Sequence, residues 1–251
     1  MRYRLPAVKS GLNRPTEKRK LPMSGVEDIY RSEFRARVMA GRPRSLLEVG
    51  CGSGTFLRSV RDDILRLVGV DPDGEAVDAL SLEGFEVTLS GAESLPFRDQ
   101  EFDVVVFSFV PHHCQDWNAA LKEAMRVARH SVEILDVWFD DTVPDQRVAH
   151  SFDRWCKEID RRAGMVHNDV MPAGALLEPA IGMPGLTYDY VCRRLSSAWD
   201  IDEVEGTGRR YLAKVGDDPA LAQGLEQILK DARRHGISEE GCVQMTIEIN
   251  R

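Results

Sequence analysis

An apolar run, Leu46-Leu47-Glu48-Val49, stops abruptly at Gly50-Cys51-Gly52-Ser53-Gly54, and a helix-compatible stretch begins at Thr55. This order constrains the fold more than any other feature of the chain. A short strand leads into a loop that is largely bare backbone, and the chain re-enters regular structure as a helix. Glycine has no Cβ, so such a loop can turn tightly and lie close against a ligand. Strand, glycine turn and helix together form the opening unit of an open α/β sheet.

The segments that follow repeat the alternation. The pattern predicts a helix over about Thr55 to Leu65, a strand Arg66 to Val70 ending at Asp71, a helix Asp73 to Leu82 and a strand Phe85 to Leu89. The run Phe102 to Phe109 is almost wholly apolar, as a strand covered on both faces must be. A helix Trp117 to Ala128 and a strand Ser131 to Val137 follow, and a helix is expected earlier, over Val26 to Ala40. Strands alternating with helices imply parallel pairing and right-handed crossovers. Beyond Trp138 the rhythm changes: a long amphipathic helix (about Pro144 to Arg162), a loop with Gly164, His167, Asn168 and Pro172, a strand Leu186 to Leu195, helices over Ile201 to Val215 and Pro219 to His235, and a last strand Cys242 to Asn250.

The expected fold is therefore α/β: a Rossmann-like, doubly wound, seven-stranded and mostly parallel sheet with the last strand antiparallel, plus a helical insertion after the fifth strand. In domain terms this gives a basic N-terminal arm (1–25) and one domain (26–251) with its core at 45–138. The substrate-side insertion spans about 139–185, where it would roof the crevice at the carboxyl ends of the strands.

Charge and cysteine content narrow the function. The 251 residues carry a net charge of −8, which opposes general nucleic-acid affinity, because phosphates attract basic surfaces. The charge is uneven: the first twenty residues hold seven basic side chains against Glu17 alone. That arm reads either as a solvated tail or as a contact for an acidic substrate. No apolar run approaches the roughly 20 residues of a membrane helix, and the basic start lacks the apolar stretch of a secretory signal. A cytoplasmic location is expected. Cys51, Cys114, Cys156, Cys192 and Cys242 form no C-x-x-C pair, so reduced thiols and no metal site are expected.

Asp71 stands 21 positions after Gly50, at the end of the next strand, where a carboxylate can accept both hydroxyls of a ribose. A nicotinamide site shares that acid but uses G-x-G-x-x-G; here the third glycine comes one residue early, which tilts the loop toward a nucleoside without a pyrophosphate.

Leu46 to Gly54, Val68-Gly69-Val70-Asp71, Ala92-Glu93-Ser94-Leu95-Pro96-Phe97 and Phe102-Asp103-Val104-Val105-Val106 together resemble the successive motifs of class I S-adenosylmethionine (SAM)-dependent methyltransferases. The wording is most similar to the small-molecule subgroup that includes the ubiquinone and menaquinone methyltransferases. The resemblance covers roughly Ser45 to Val137. It implies SAM as cofactor, with Glu48, Gly50, Cys51, Gly52 and Gly54 at its methionine part. It implies Asp71 at the ribose, Pro72, Ala92 and Glu93 about the adenine, and Phe107 and Ser108 on the far side. Two departures stand out: Gly91 occupies the place where many relatives carry an aspartate, and Ala128-Arg129-His130 replaces the usual proline-glycine turn.

A sulfonium methyl donor is already activated, so the protein must align the acceptor, exclude water and, for a hydroxyl, amine or acidic carbon, supply a base. His112 and His113, just past the fourth strand, are the candidate catalytic residues, and a role in organising that loop competes with the role of base. His167 is a further candidate, and Trp155, Tyr188 and Tyr190 suit an aromatic acceptor pocket or plain core. The expected acceptor is a small molecule. The alternatives are a non-catalytic SAM-binding module that regulates a partner and a nicotinamide-dependent reductase. An RNA methyltransferase is a further rival, opposed by the charge and by Ser108-Phe109-Val110-Pro111-His112 where amino-directed enzymes carry Asn/Asp-Pro-Pro-Tyr/Phe.

Overall fold

The computed structural model describes residues 23–195, 197–216 and 218–250, so most of the expected basic arm lies outside the described residues. The strands are β1 (Ser45–Val49), β2 (Arg66–Asp71), β3 (Glu86–Leu89), β4 (Phe102–Ser108), β5 (Ala128–Trp138), β6 (Leu186–Arg193) and β7 (Gly241–Ile249). The helices are α1 (Met23–Ala40), α2 (Thr55–Val60), α3 (Gly74–Leu82), α4 (Trp117–Val127), α5 (Pro144–Arg162), α6 (Ala173–Leu177), α7 (Ile201–Leu212) and α8 (Pro219–His235).

The strands form one sheet in the order β3-β2-β1-β4-β5-β7-β6. β1 pairs in parallel with β2 and β4, so that Val49 lies beside both Val70 and Phe107. Only β7 runs against the rest, pairing antiparallel with β5 and β6. The expected seven-stranded Rossmann-like sheet, including the reversed last strand, is the architecture found.

Strand alternation sorts the side chains into two layers. Leu47, Val49, Val105 and Phe107 face a core completed by Trp117, Leu121, Ala124 and Met125 of α4 and by Leu176 and Leu177 of α6. Leu46, Val104 and Val106 face the other way, onto Val26, Tyr30, Phe34 and Val38, which recur every fourth residue along α1. Glu48 shares that second face with Leu46. A third core joins α5, α7 and α8, with Phe152, Trp155, Ile159, Val204, Leu225 and Leu229 at its centre. Among the described residues no helix is long and apolar enough to cross a membrane.

Some boundaries differ from the sequence expectation. α2 stops at Val60 instead of continuing to Leu65, because the exposed Arg61-Asp62-Asp63 offers no apolar face and closes a turn, Asp63 N–H donating to the Val60 carbonyl (3.0 Å). β5 begins at Ala128, three residues early, since Ala128 pairs with Phe102 across an irregularity in β4. The stretch after Pro172, expected as loop, holds α6 and a 3-10 turn at Glu178–Ala180, which bury Leu176, Leu177 and Ala180.

Candidate functional site

The order β3-β2-β1-β4-β5 reverses direction between β1 and β4, and at such a switch point the loops diverge and leave a crevice beyond the carboxyl ends of the strands. Gly50, Gly52 and Gly54 border it, all with positive φ, but for different reasons. A Cβ on Gly50 would lie 2.6 Å from the Val110 side chain, and one on Gly54 would lie 2.4 Å from that of Leu80. Both glycines are thus required by packing within the protein. A Cβ on Gly52 would meet nothing within 4 Å among the described residues, so this glycine borders open space there.

Asp71, at the end of β2, is nearly buried. Its Oδ2 accepts from Gly52 N–H (2.7 Å) and its Oδ1 from Asp73 N–H (2.9 Å), which ties the glycine loop to the start of α3. Each oxygen keeps a further lone pair for a ligand hydroxyl. Glu48 is buried on the α1 face, where Leu57 N–H donates to its Oε2 (3.1 Å). Burial pushes its carboxyl up to about 8, opposed by the Leu57 N–H and by the nearby Arg31 charge.

Arg31 was invisible to motif reading. From α1 it donates to Ser108 Oγ (2.9 Å), stacks its guanidinium 4.6 Å over the Phe109 ring and pairs with Glu27. It therefore places a cation beside Glu48 and Ser108. Its only sequence signal is a basic residue next to Tyr30 in an amphipathic helix, which is too common to single out. Phe109 itself has φ 60°, a costly conformation for an aromatic residue, held here by its N–H donating to the Leu135 carbonyl (2.7 Å).

The other residues implied at the cofactor divide. Pro72 is exposed beside Asp71, and Ala92 is half-buried. The Oε1 of Glu93 accepts from Gln115 N–H (2.9 Å) and Asp116 N–H (3.2 Å), so its carboxylate caps the approach to α4. The Cys51 side chain packs with Leu57, Leu80 and Phe85, and burial pushes its thiol up to about 12, leaving only its backbone toward the crevice. Phe107 is fully buried, edge-on to Trp117 at 5.0 Å, and does not line an opening.

Beyond β4 the 3-10 turn Pro111–His113 carries the paired histidines. His112 is buried, and its Nδ1 lies 2.5 Å from Asp136 Oδ1 on β5. His113 is exposed, with Nδ1 3.0 Å from the Val166 carbonyl. The loop after α5 closes over this turn: Asn168 N–H donates to the His112 carbonyl (2.7 Å) and Asn168 Nδ2 to the Cys114 carbonyl (2.8 Å). Trp117 Nε1 donates to the Leu176 carbonyl (2.9 Å), fixing α6 against α4. The same loop delivers His167, whose Nδ1 lies 2.9 Å from Asp160 Oδ2; burial pushes this imidazole down to about 4, against the pull of Asp160.

His112 and His113 are therefore brought together with His167, far from them in the chain. Cysteine spacing carried no signal, and the histidines come from segments too far apart for spacing to reveal them. The aromatic candidates are not gathered with them. Trp155 sits in the α5–α8 core, with Nε1 donating to the Leu221 carbonyl (3.0 Å) and its ring against Gly224. Tyr188 is exposed on β6, the edge strand farthest from the switch point, and Tyr190 packs partly against the sheet core.

Comparison with known proteins agrees with the fold. Residues 47–135 match the family described as a methyltransferase domain. A curated relative, the uncharacterized methyltransferase YcgJ of Bacillus subtilis, is 29% identical over 114 residues, 43% of this chain and 44% of its own length. The solved structure of YcgJ superposes with a TM-score of 0.58 at 17% identity, covering 88% of this chain and 99% of that one, a likeness of fold. The ubiquinone/menaquinone biosynthesis C-methyltransferase UbiE of Rickettsia felis is 29% identical over 119 residues, 42% of this chain and 48% of its own. A human protein named probable tRNA methyltransferase 9B is 30% identical over 193 residues, 72% of this chain and 40% of its own. The chain spans about half the length, or less, of the curated relatives it matches. On fold and motifs together, residues 47–135 are similar to the class I methyltransferase domain that the sequence motifs resemble.

Proposed function

We propose that the protein transfers a methyl group from SAM to a small-molecule acceptor held between the β4 edge and the segment 139–185. The observation that carries this reading is the open space at Gly52, whose N–H is held by the Asp71 carboxylate: bare backbone and a paired acid at the switch point, with space that a side chain on Gly52 would fill. In the proposed site Asp71 accepts the ribose hydroxyls. Glu48 and Arg31 offer opposite charges to the ammonium and carboxylate of the methionine part, and Ser108 holds Arg31 in place. SAM supplies the activated methyl group.

The remaining work falls to the acceptor side. The loop 163–172 and α6 close over the Pro111–His113 turn and keep water from the acceptor. His112, oriented by Asp136, and His113, oriented by the Val166 carbonyl, are the candidate proton acceptors. The five free cysteines suit a reducing, cytoplasmic setting. An RNA acceptor is the second reading, favoured by the tRNA methyltransferase 9B relatives and opposed by the net charge of −8.

Calorimetric titration with S-adenosylhomocysteine tests the cofactor site. We expect micromolar binding, weakened about 10 to 100-fold by Asp71→Ala through loss of charge-assisted hydrogen bonds. Unchanged affinity in the folded variant removes the assignment.

A further inference from the structure

His112 and His113 follow β4, and His167 arrives from the loop after α5, yet one ring nitrogen of each lies within 4.8 Å of those of the other two. The ring centroids are 4.3, 4.5 and 5.4 Å apart. Each ring is anchored through Nδ1 to an acceptor: His112 to Asp136, His113 to the Val166 carbonyl and His167 to Asp160. In a neutral imidazole, an Nδ1 facing an acceptor must carry the proton, so Nε2 keeps a bare lone pair. Among the described residues no hydrogen bond reaches any of the three Nε2 atoms. Bare lone pairs on three rings this close cannot satisfy one another, because none of them brings a hydrogen.

Imidazoles that bind metals are oriented in this way, the far nitrogen donating to a carboxylate or a backbone carbonyl. The charge behind the rings points the same way. Asp136 is buried, and among the described residues its Oδ2 has no hydrogen-bond partner. The carboxylates of Asp136, Asp153 and Asp160 are set against the ammonium groups of Lys157, 3.0 Å from Asp153, and Lys214, 2.8 Å from Asp160.

We propose that His112, His113 and His167 form a three-nitrogen site for a divalent first-row transition-metal ion, with zinc the foremost candidate, on the acceptor side of the crevice. Imidazole nitrogen suits zinc and its neighbours better than calcium or magnesium. Zinc–nitrogen bonds of about 2.0–2.1 Å set tetrahedral ligand atoms about 3.4 Å apart, so the rings draw together on binding. His113 and His167 sit on the turn and loop that allow this. Three protein ligands leave a coordination position open. An oxygen or nitrogen of the acceptor would occupy it and lose its proton to solvent more readily there, the metal taking the place of His112 and His113 as the activating group. That use rests on the methyl-transfer reading; the metal site does not.

The untagged full-length protein, stripped with a chelator, is titrated with Zn²⁺ by calorimetry and with Co²⁺ by visible absorption, and S-adenosylhomocysteine affinity is measured on the same samples. We expect one ion per chain with the d–d bands of four-coordinate cobalt, and binding weakened at least about 100-fold by His113→Ala or His167→Ala. Asp160→Asn should cost about 10 to 100-fold through the orientation of His167. In all three variants S-adenosylhomocysteine affinity should stay within about twofold, which shows that they are folded; His113 is exposed, so its variant is the least disruptive. Failure to bind a stoichiometric ion overturns the site. So does binding indifferent to His113 and His167 but lost in His130→Ala, His150→Ala or His235→Ala. Metal binding without S-adenosylhomocysteine binding would instead remove the cofactor reading and leave the metal site standing.

Discussion

Glu48→Gln isolates the charge of a buried carboxyl without changing its shape. In the folded protein burial lifts Glu48 from 4.5 to about 8. Below pH 4.5 the group is protonated whether the chain is folded or not. Between 4.5 and about 8 the unfolded chain releases the proton and the folded one keeps it, so stability falls as pH rises, and above 8 the full cost of a buried anion is present. At about 1.4 kcal/mol per pH unit, the shift corresponds to at most about 5 kcal/mol; the Leu57 N–H, the nearby Arg31 and relaxation around the site make about half of that a reasonable expectation. The glutamine variant does not titrate. Urea unfolding of both proteins from pH 5 to 9 should give curves that diverge with rising pH, the variant being the more stable by about 2 to 5 kcal/mol at pH 9. All other titrating groups cancel in the difference. Parallel curves across that range would refute a raised Glu48.

Gly52→Val should abolish S-adenosylhomocysteine binding with the unfolding midpoint little changed, because its side chain would enter the open crevice; calorimetry showing normal binding would mean the ligand lies elsewhere. Gly54→Ala should show the opposite pattern. A Cβ 2.4 Å from Leu80 at a positive φ costs about 1 to 3 kcal/mol of stability, read by denaturant unfolding. With an acceptor in hand, His112→Ala should lower turnover about 100 to 10,000-fold at unchanged SAM affinity, and full activity in the folded variant would remove His112 from the chemistry.

What the sequence disclosed follows the distance over which its signals act. The strand, glycine loop and Asp71 lie within 26 residues, and their roles depend on backbone geometry that local composition encodes. β1, β2, β4 and β5 were legible for the same reason, since each holds a short apolar run bounded by turn residues. Contacts between remote segments were not. His167 reaches the paired histidines only because α5 turns back at Gly164 and Asn168 hooks the His112 carbonyl. Arg31 reaches Glu48 only because both occupy the α1 side of the sheet. Trp155 misled because an aromatic residue on an amphipathic helix reads alike whether it meets a ligand or, as here, another helix.

The reversal of strand order between β1 and β4 also divides the chain in time as it is made. Every residue assigned to the cofactor precedes Phe109, and every residue assigned to the acceptor follows it. In the proposed site the half that would meet SAM is a continuous piece of sequence, emerging first from the ribosome, and the half that would choose the acceptor is a later piece joined to it at one strained residue. Recombination near Phe109 could exchange acceptor preference while leaving the cofactor half intact. A chimera carrying residues 110–250 of a relative on residues 23–109 of this chain is the natural material in which to look for that inheritance.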